Sequence, residues 1–147
     1  MNRQPSLLKI ITIDYIAFLG WLFPVVMWGM YVVLIVLGNV KINDLTLPVT
    51  FAVITVVALA ILIWRIQVFN TIFSDGIEAT ATINNVSFFR DRGRVDYVYT
   101  YQGQKYVSGN AIHKVKQTLA LKAGEQVVLM VDRNNPKRVF IRDLYIG

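Results

Sequence analysis

Two uncharged apolar runs constrain this chain more than any other feature of its sequence. Residues 15–38 read YIAFLGWLFPVVMWGMYVVLIVLG, and residues 45–64, bounded by Asp44 and Arg65, are equally free of charge. A helix advances about 1.5 Å per residue, so about 20 apolar residues cross a hydrocarbon core about 30 Å thick. Both runs are long enough. Hydrocarbon offers no water to backbone N–H and C=O groups, and a helix satisfies them internally. Residues 39–44 leave room only for a short connection, so the two spans are expected to form an antiparallel hairpin. A cleaved signal peptide is not expected, because the first run is too long and no small-x-small site follows it. Neither run contains an ionisable residue, so an ion or proton path through the hairpin is not expected either.

Composition agrees with a membrane location and divides the chain in two. Hydrophobic residues make up 55% and charged residues 16%, against about 45–50% and about 25% in ordinary soluble domains. Of the 15 Lys and Arg residues, 12 lie from Arg65 onward, where only 7 acids accompany them, for a local net charge of +5. Before Arg65 the bases are Arg3, Lys9 and Lys41 and the acids Asp14 and Asp44. The absence of Cys excludes disulfides and thiolate chemistry, and a single His leaves little material for a histidine metal site. Such hydrophobicity excludes intrinsic disorder.

Arg3, Lys9 and the terminal amine precede the first span, whereas the connector carries Lys41 alone. By the positive-inside rule the N-terminal tail is expected in the cytoplasm. Two spans return the chain after Arg65 to that same side.

The first span carries a pattern beyond oiliness. Ala17, Trp21, Pro24, Trp28, Tyr31 and Ile35 recur at spacings of three and four, which places them on one helix face. Trp28 falls near mid-span, away from the headgroup belts that Trp prefers. Two readings follow. The face meets lipid or the second helix, or Trp21, Pro24, Trp28 and Tyr31 form a docking seam for another membrane subunit.

Beyond Arg65, Ile66, Phe69, Ile72 and Phe73 continue a helical face to about residue 73, and Ser74-Asp75-Gly76 stops it. The first unit is thus 1–73, an N-terminal tail and a two-helix hairpin. The period then becomes two. Ile77, Ala79, Ala81 and Ile83 alternate with polar residues, as do Val95, Tyr97, Tyr99 and Tyr101. Gln102-Gly103 makes a tight turn into a third strand over 105–112. Residues 113–121 form a helical turn or an irregular crossover. The apolar stretch Gln126–Val131, the turn cluster Asp132-Arg133-Asn134-Asn135-Pro136 and the short stretch Val139–Ile141 complete the pattern. The fold class expected is therefore a membrane α-helical hairpin followed by a small all-β domain over 74–147, a five-stranded curled sheet or barrel. A core of that size is marginal, so support from the hairpin or a partner is expected.

Several turn motifs carry a resemblance. Gly76 opens the alternating strand, Tyr101-Gln102-Gly103-Gln104-Lys105-Tyr106 gives a Tyr-x-Gly-x-x-Tyr hairpin, and Gly124-Glu125-Gln126-Val127 is followed by Asp132-Arg133-Asn134-Asn135-Pro136. Over residues 76–141 the chain resembles a domain-of-unknown-function family of bacterial membrane proteins, in which a small β domain accompanies one or two transmembrane helices. Met130 and Arg133 stand where that family usually has an aromatic residue and a proline. The resemblance implies the inner membrane of a bacterium and brings no activity, cofactor or functional residue.

Chemistry-bearing clusters are scarce. His113 is the one imidazole, and a Ser-His-Asp arrangement would have to recruit Ser108 and Asp132 without any nucleophile motif around them. Asp132 and Asn135 read as turn-holding side chains, and one acid falls short of the oxygens that calcium needs. No catalytic residue, metal or cofactor is expected. Phe88, Phe89, Arg90, Arg92 and Arg94 stand out as two aromatics running into a basic hairpin loop. They read as a strand end with a solvated turn, as a contact for anionic headgroups, or as a docking loop for an acidic partner. Tyr97, Tyr99 and Tyr101 on a basic small barrel raise oligonucleotide binding at the level of fold class. Their period-two placement assigns them to the core instead, and nucleic acid is not an expected partner. The functional expectation is a non-enzymatic, multi-pass membrane module acting through a protein partner or a second copy of itself. Contact with membrane lipid is the alternative.

Overall fold

Local chemistry sets the helix ends. In the computed structural model, which describes residues 4–147, a short helix α1 (Leu7–Ile13) stops at Asp14, where the backbone turns extended (φ −73°, ψ 119°). The long helix α2 (Tyr15–Val36) starts at the next residue, and the Asp14 side chain caps it by accepting the Ala17 N–H at 2.9 Å. Helix α2 ends in a short connector in which Gly38 takes the left-handed backbone (φ 72°). Helix α3 (Thr46–Asp75) then runs for 30 residues without a break. Both long helices are long and apolar enough to cross a membrane. The α1 segment falls in what the sequence assigns to an N-terminal tail.

Helices α2 and α3 lie side by side. Gly20 marks a close approach, because a Cβ there would lie 3.1 Å from Leu62 Cβ and 3.5 Å from the Ala58 carbonyl oxygen. Farther along, the Trp28 indole N–H donates to Thr55 Oγ at 2.9 Å. Trp28, Tyr31 and Phe51 form a cluster of edge-on rings with centroids 5.8–6.0 Å apart, a preferred aromatic geometry. The other faces of both helices are bare and apolar, from Phe23, Val26, Met30 and Val33 on α2 to Val49, Val53, Val56 and Ile63 on α3.

At Gly76, where α3 ends, no side chain fits. A Cβ would fall 2.2 Å from the Ile72 carbonyl oxygen and 2.9 Å from that of Val131. The chain then enters β1 (Ile77–Phe89), β2 (Arg92–Tyr101), β3 (Gln104–His113), β4 (Gln126–Val131) and β5 (Val139–Ile141). A helical turn α4 (Lys116–Leu119) separates β3 from β4, and a last turn α5 (Arg142–Tyr145) follows β5. All pairings are antiparallel, in the spatial order β3-β2-β1-β4-β5. The sheet curls into a half barrel, and Ser108 on β3 reaches across to the Lys137 carbonyl just before β5 at 2.7 Å.

β1 is six residues longer than the 77–83 alternation predicts. A bulge between Ile83 and Asn85 shifts the register, so the inward side passes from Ala81 and Ile83 to Val86 and Phe88. An inserted residue does this in any antiparallel pair. β2 keeps strict alternation, with Val95, Tyr97, Tyr99 and Tyr101 all buried.

The concave side of the half barrel is filled by helices. Phe69, Ile72 and Phe73 of α3, Ile10 and Ile13 of α1 and Tyr145 of α5 join the sheet residues in one core. The Phe69 ring stacks on Phe140 of β5 at 3.9 Å. The division at residues 73 and 74 read from sequence therefore does not separate two cores; helices and sheet share one.

Candidate functional site

A fully buried carboxylate, paired with an arginine, lies where helices and sheet meet. The Asp14 carboxylate has no exposed surface, and Arg65 of α3 is 11% exposed. Arg65 Nε donates to Asp14 Oδ1 at 3.0 Å and its terminal nitrogen to Oδ2 at 2.7 Å. This two-pronged arrangement fits the planar guanidinium to the carboxylate. Oδ1 also takes the Ala17 N–H, so both carboxylate oxygens are occupied. The Arg65 guanidinium lies 5.4 Å from the Phe69 ring centroid and 5.0 Å from that of Phe140, within cation–π range. The Asp14 backbone forms an isolated antiparallel bridge with Ile112 on the edge strand β3. Asp14 thus ties together α1, α2, α3 and the sheet.

Neighbouring contacts extend this junction. His113 Nδ1 lies 3.0 Å from the Thr12 carbonyl oxygen, and its ring stacks on Phe18 of α2 at 4.0 Å. Trp21 donates its indole N–H to the Ile11 carbonyl at 3.1 Å. At the other end of α1, Pro5 bridges Ile146, and Lys9 donates to the Ile146 carbonyl. The N-terminal segment therefore lies against both β3 and the C-terminal turn.

The residues singled out from sequence fall into two places. Trp21 serves the α1–α2 corner, Pro24 is buried, and Trp28 and Tyr31 face α3. The aromatic seam is thus built within the chain. In the second group, Phe88 is half-buried over Gly93, whose Cβ would lie 2.5 Å from the Phe88 ring. Phe89 is 62% exposed, with the Arg90 and Arg92 guanidinium carbons 5.4 and 5.8 Å from its ring centroid. Arg94 lines one surface depression with Phe88, Phe89 and Arg92, and its Nε donates to Asp96 Oδ1 at 2.8 Å.

The two residues a triad with His113 would recruit are engaged elsewhere: Ser108 donates to the Lys137 carbonyl, and Asp132 accepts the Asn134 N–H at 2.9 Å and faces Arg138. Among the described residues no group of three or more His, Cys, Asp or Glu side chains could hold a metal ion. A surface depression of about 490 Å³ is lined by Gln4, Pro5, Asn70, Thr71 and Ser74 and brings no acid–base pair together. No family model matches the chain, and no curated protein or solved structure is detectably similar to it.

The tyrosines read as core are core. The Tyr97 hydroxyl lies within hydrogen-bond reach of Asn110 Oδ1 and the Val139 carbonyl, and Tyr99 donates to the Pro136 carbonyl. They are closed to base stacking. Burial, with neighbouring Tyr99 second, pushes the Tyr97 hydroxyl far above the ordinary tyrosine range, and burial followed by Asp14 does the same for Tyr145. Tyr99 is pushed up to about 12, again chiefly by burial.

Alkaline pH should therefore destabilise the fold. Tyrosines of the unfolded chain ionise near pH 10 (roughly) while Tyr97 and Tyr145 keep their protons in the fold. The unfolded state then binds fewer protons, and stability falls as pH rises. The contribution is complete below about pH 10, and each tyrosine takes away about 1.4 kcal/mol per pH unit above it. Thermal unfolding in detergent as a function of pH checks this; a melting temperature that stays constant from about pH 9 to about pH 11 would contradict it.

Proposed function

We propose that this chain is a non-enzymatic integral membrane module that acts through protein contacts, as an accessory or scaffolding subunit or as a homo-oligomer. In this reading α2 and α3 span the inner membrane of a bacterium. Both termini and the sheet lie on one side, the cytoplasm by the balance of Arg3 and Lys9 against Lys41. The resemblance to bacterial membrane proteins of unknown function with a small β domain belongs to the same proposal.

The observation that supports it best is the shared core. Helix α3 runs unbroken from its apolar stretch into the concave face of the sheet, where Phe69, Ile72 and Phe73 are buried. No flexible linker intervenes. The β domain is held at a fixed height and orientation over the helices, which suits presentation of a surface to a neighbour. With Trp28 and Tyr31 used inside the hairpin, such a neighbour would meet the bare helix faces or the convex side of the sheet.

Cross-linking in native membranes, followed by gentle-detergent purification of the full chain, tests this. A discrete species heavier than the monomer, containing either a second copy or one defined partner, is the expected result. A monomer alone with and without cross-linker would overturn the proposal.

A further inference from the structure

The tip of the β1–β2 hairpin lies beside the first turn of α2. In register, Phe89 pairs with Arg92 and Arg92 with His113, and the His113 ring stacks on Phe18, one turn into α2. Neighbouring strands are about 4.8 Å apart, so Phe89 sits roughly 10 Å sideways from that stack. The Lys114 N–H donates to the Asp91 carbonyl at 2.8 Å, which brings Lys114 and Lys116 to the same end of the sheet. Arg90, Arg92, Lys114 and Lys116 are all exposed, against one exposed acid in the turn, Asp91. Arg90 also holds a left-handed backbone (φ 58°) where glycine is the easier choice.

We propose that this tip is an anionic-lipid contact, with Phe89 inserted at the level of the headgroups and Arg90 and Arg92 bound to lipid phosphates around it. The inference rests on α2 and α3 being membrane spans. Asp14 and Arg65 then mark the membrane surface on the sheet side, and the tip meets that surface beside Phe18. An exposed phenylalanine clasped by two guanidinium groups suits this boundary, where an apolar ring enters the acyl region and cations stay with phosphate. Lys114 and Lys116 add to the attraction, which is worth about fivefold in association per base near an anionic surface. Arg94 lines the same depression as Phe89 and Arg92, and its pairing with Asp96 leaves it less charge to offer a phosphate.

The chain has no Cys, so a single introduced thiol reports one position. Full-length protein carrying nitroxide-labelled Asp91→Cys, and separately Met30→Cys, is reconstituted into phosphatidylcholine vesicles with and without phosphatidylglycerol. Accessibility to a water-soluble relaxing agent is then measured, together with the preference of the unlabelled protein for spin-labelled phosphatidylglycerol over spin-labelled phosphatidylcholine. The expected result is a shielded label at both positions and a preference for the anionic lipid. That preference should weaken about fivefold for each of Arg90→Gln and Arg92→Gln, weaken in high salt, and stay unchanged in Lys105→Gln, at the opposite end of β3 from the tip. A label at 30 open to water overturns the spanning reading and this proposal with it. A label at 30 shielded but at 91 open to water overturns only the tip contact. An anionic preference absent, or indifferent to Arg90 and Arg92, overturns it too. So does shielding at 91 found in native membranes but in neither type of vesicle, which would assign the tip to an acidic protein.

Discussion

Replacing Arg65 by methionine should destabilise the folded chain by about 3–5 kcal/mol, the range for removing one partner of a buried ion pair. Methionine keeps apolar length against Phe69 and Phe140, so most of the loss traces to charge. Asp14 would be left as a carboxylate with no exposed surface and no countercharge, the Ala17 N–H being its remaining hydrogen bond. An exposed pair would lose only about 0–1 kcal/mol, and the two outcomes are easily separated. The second arm is the double variant Asp14→Asn/Arg65→Met. Asparagine still caps α2, and no charge is left buried. Its stability should return to within about 2 kcal/mol of the parent, because taking two charges out of water offsets much of their attraction. Unfolding in detergent micelles, followed by tryptophan fluorescence, measures both. A single variant as stable as the parent would show that Asp14 and Arg65 do not secure the junction.

The parts of this fold legible in sequence are those whose pattern is local. Residues 15–38 and 45–64 announce helices by lacking charge, and β2 announces itself by strict alternation through Tyr97, Tyr99 and Tyr101. The middle of β1 was not legible, because the bulge after Ile83 reverses which side of the strand faces inward and so breaks the period before the strand end read at Phe88 and Phe89. Helix α1 was hidden by its seven residues, too few to establish a periodicity. The junction was hidden by distance: Asp14 and Arg65 are 51 residues apart, and each reads on its own as a charge marking the edge of an apolar run. A signal was available. In an antiparallel hairpin, the start of the first run and the end of the second lie on the same side. Opposite charges at those two ends are natural partners. His113 offered no comparable signal, since its stacking partner Phe18 lies in a helix the sequence assigns to lipid.

Residues 74–147, although they contain the whole sheet, should not fold by themselves. The concave face of the half barrel is covered by side chains from outside that segment: Ile10 and Ile13 from α1, and Phe69, Ile72 and Phe73 from α3, each no more than 2% exposed. Fully burying one large apolar side chain contributes about 1.5–3 kcal/mol, so these five represent roughly 8–15 kcal/mol. A domain's entire net stability is of about that size, roughly 5–15 kcal/mol. Cutting the chain at residue 74 also removes the backbone bridge from Asp14 to Ile112 and leaves Phe140 and Tyr145 without the Phe69 ring that packs on them. The isolated segment should give a poorly dispersed amide spectrum, fast hydrogen exchange and no cooperative melt. The full chain in detergent should protect the amides of β1, β2 and β4. A five-stranded sheet needs its apolar face covered, by a helix or by closing on itself. Here β3 and β5 approach through Ser108 and Lys137 but share no strand pairing, so the fragment has a gap where α1 and α3 should be. A cooperative melt from the fragment would show that the sheet closes that gap unaided, and the shared core would then be a convenience of docking and not a condition of folding.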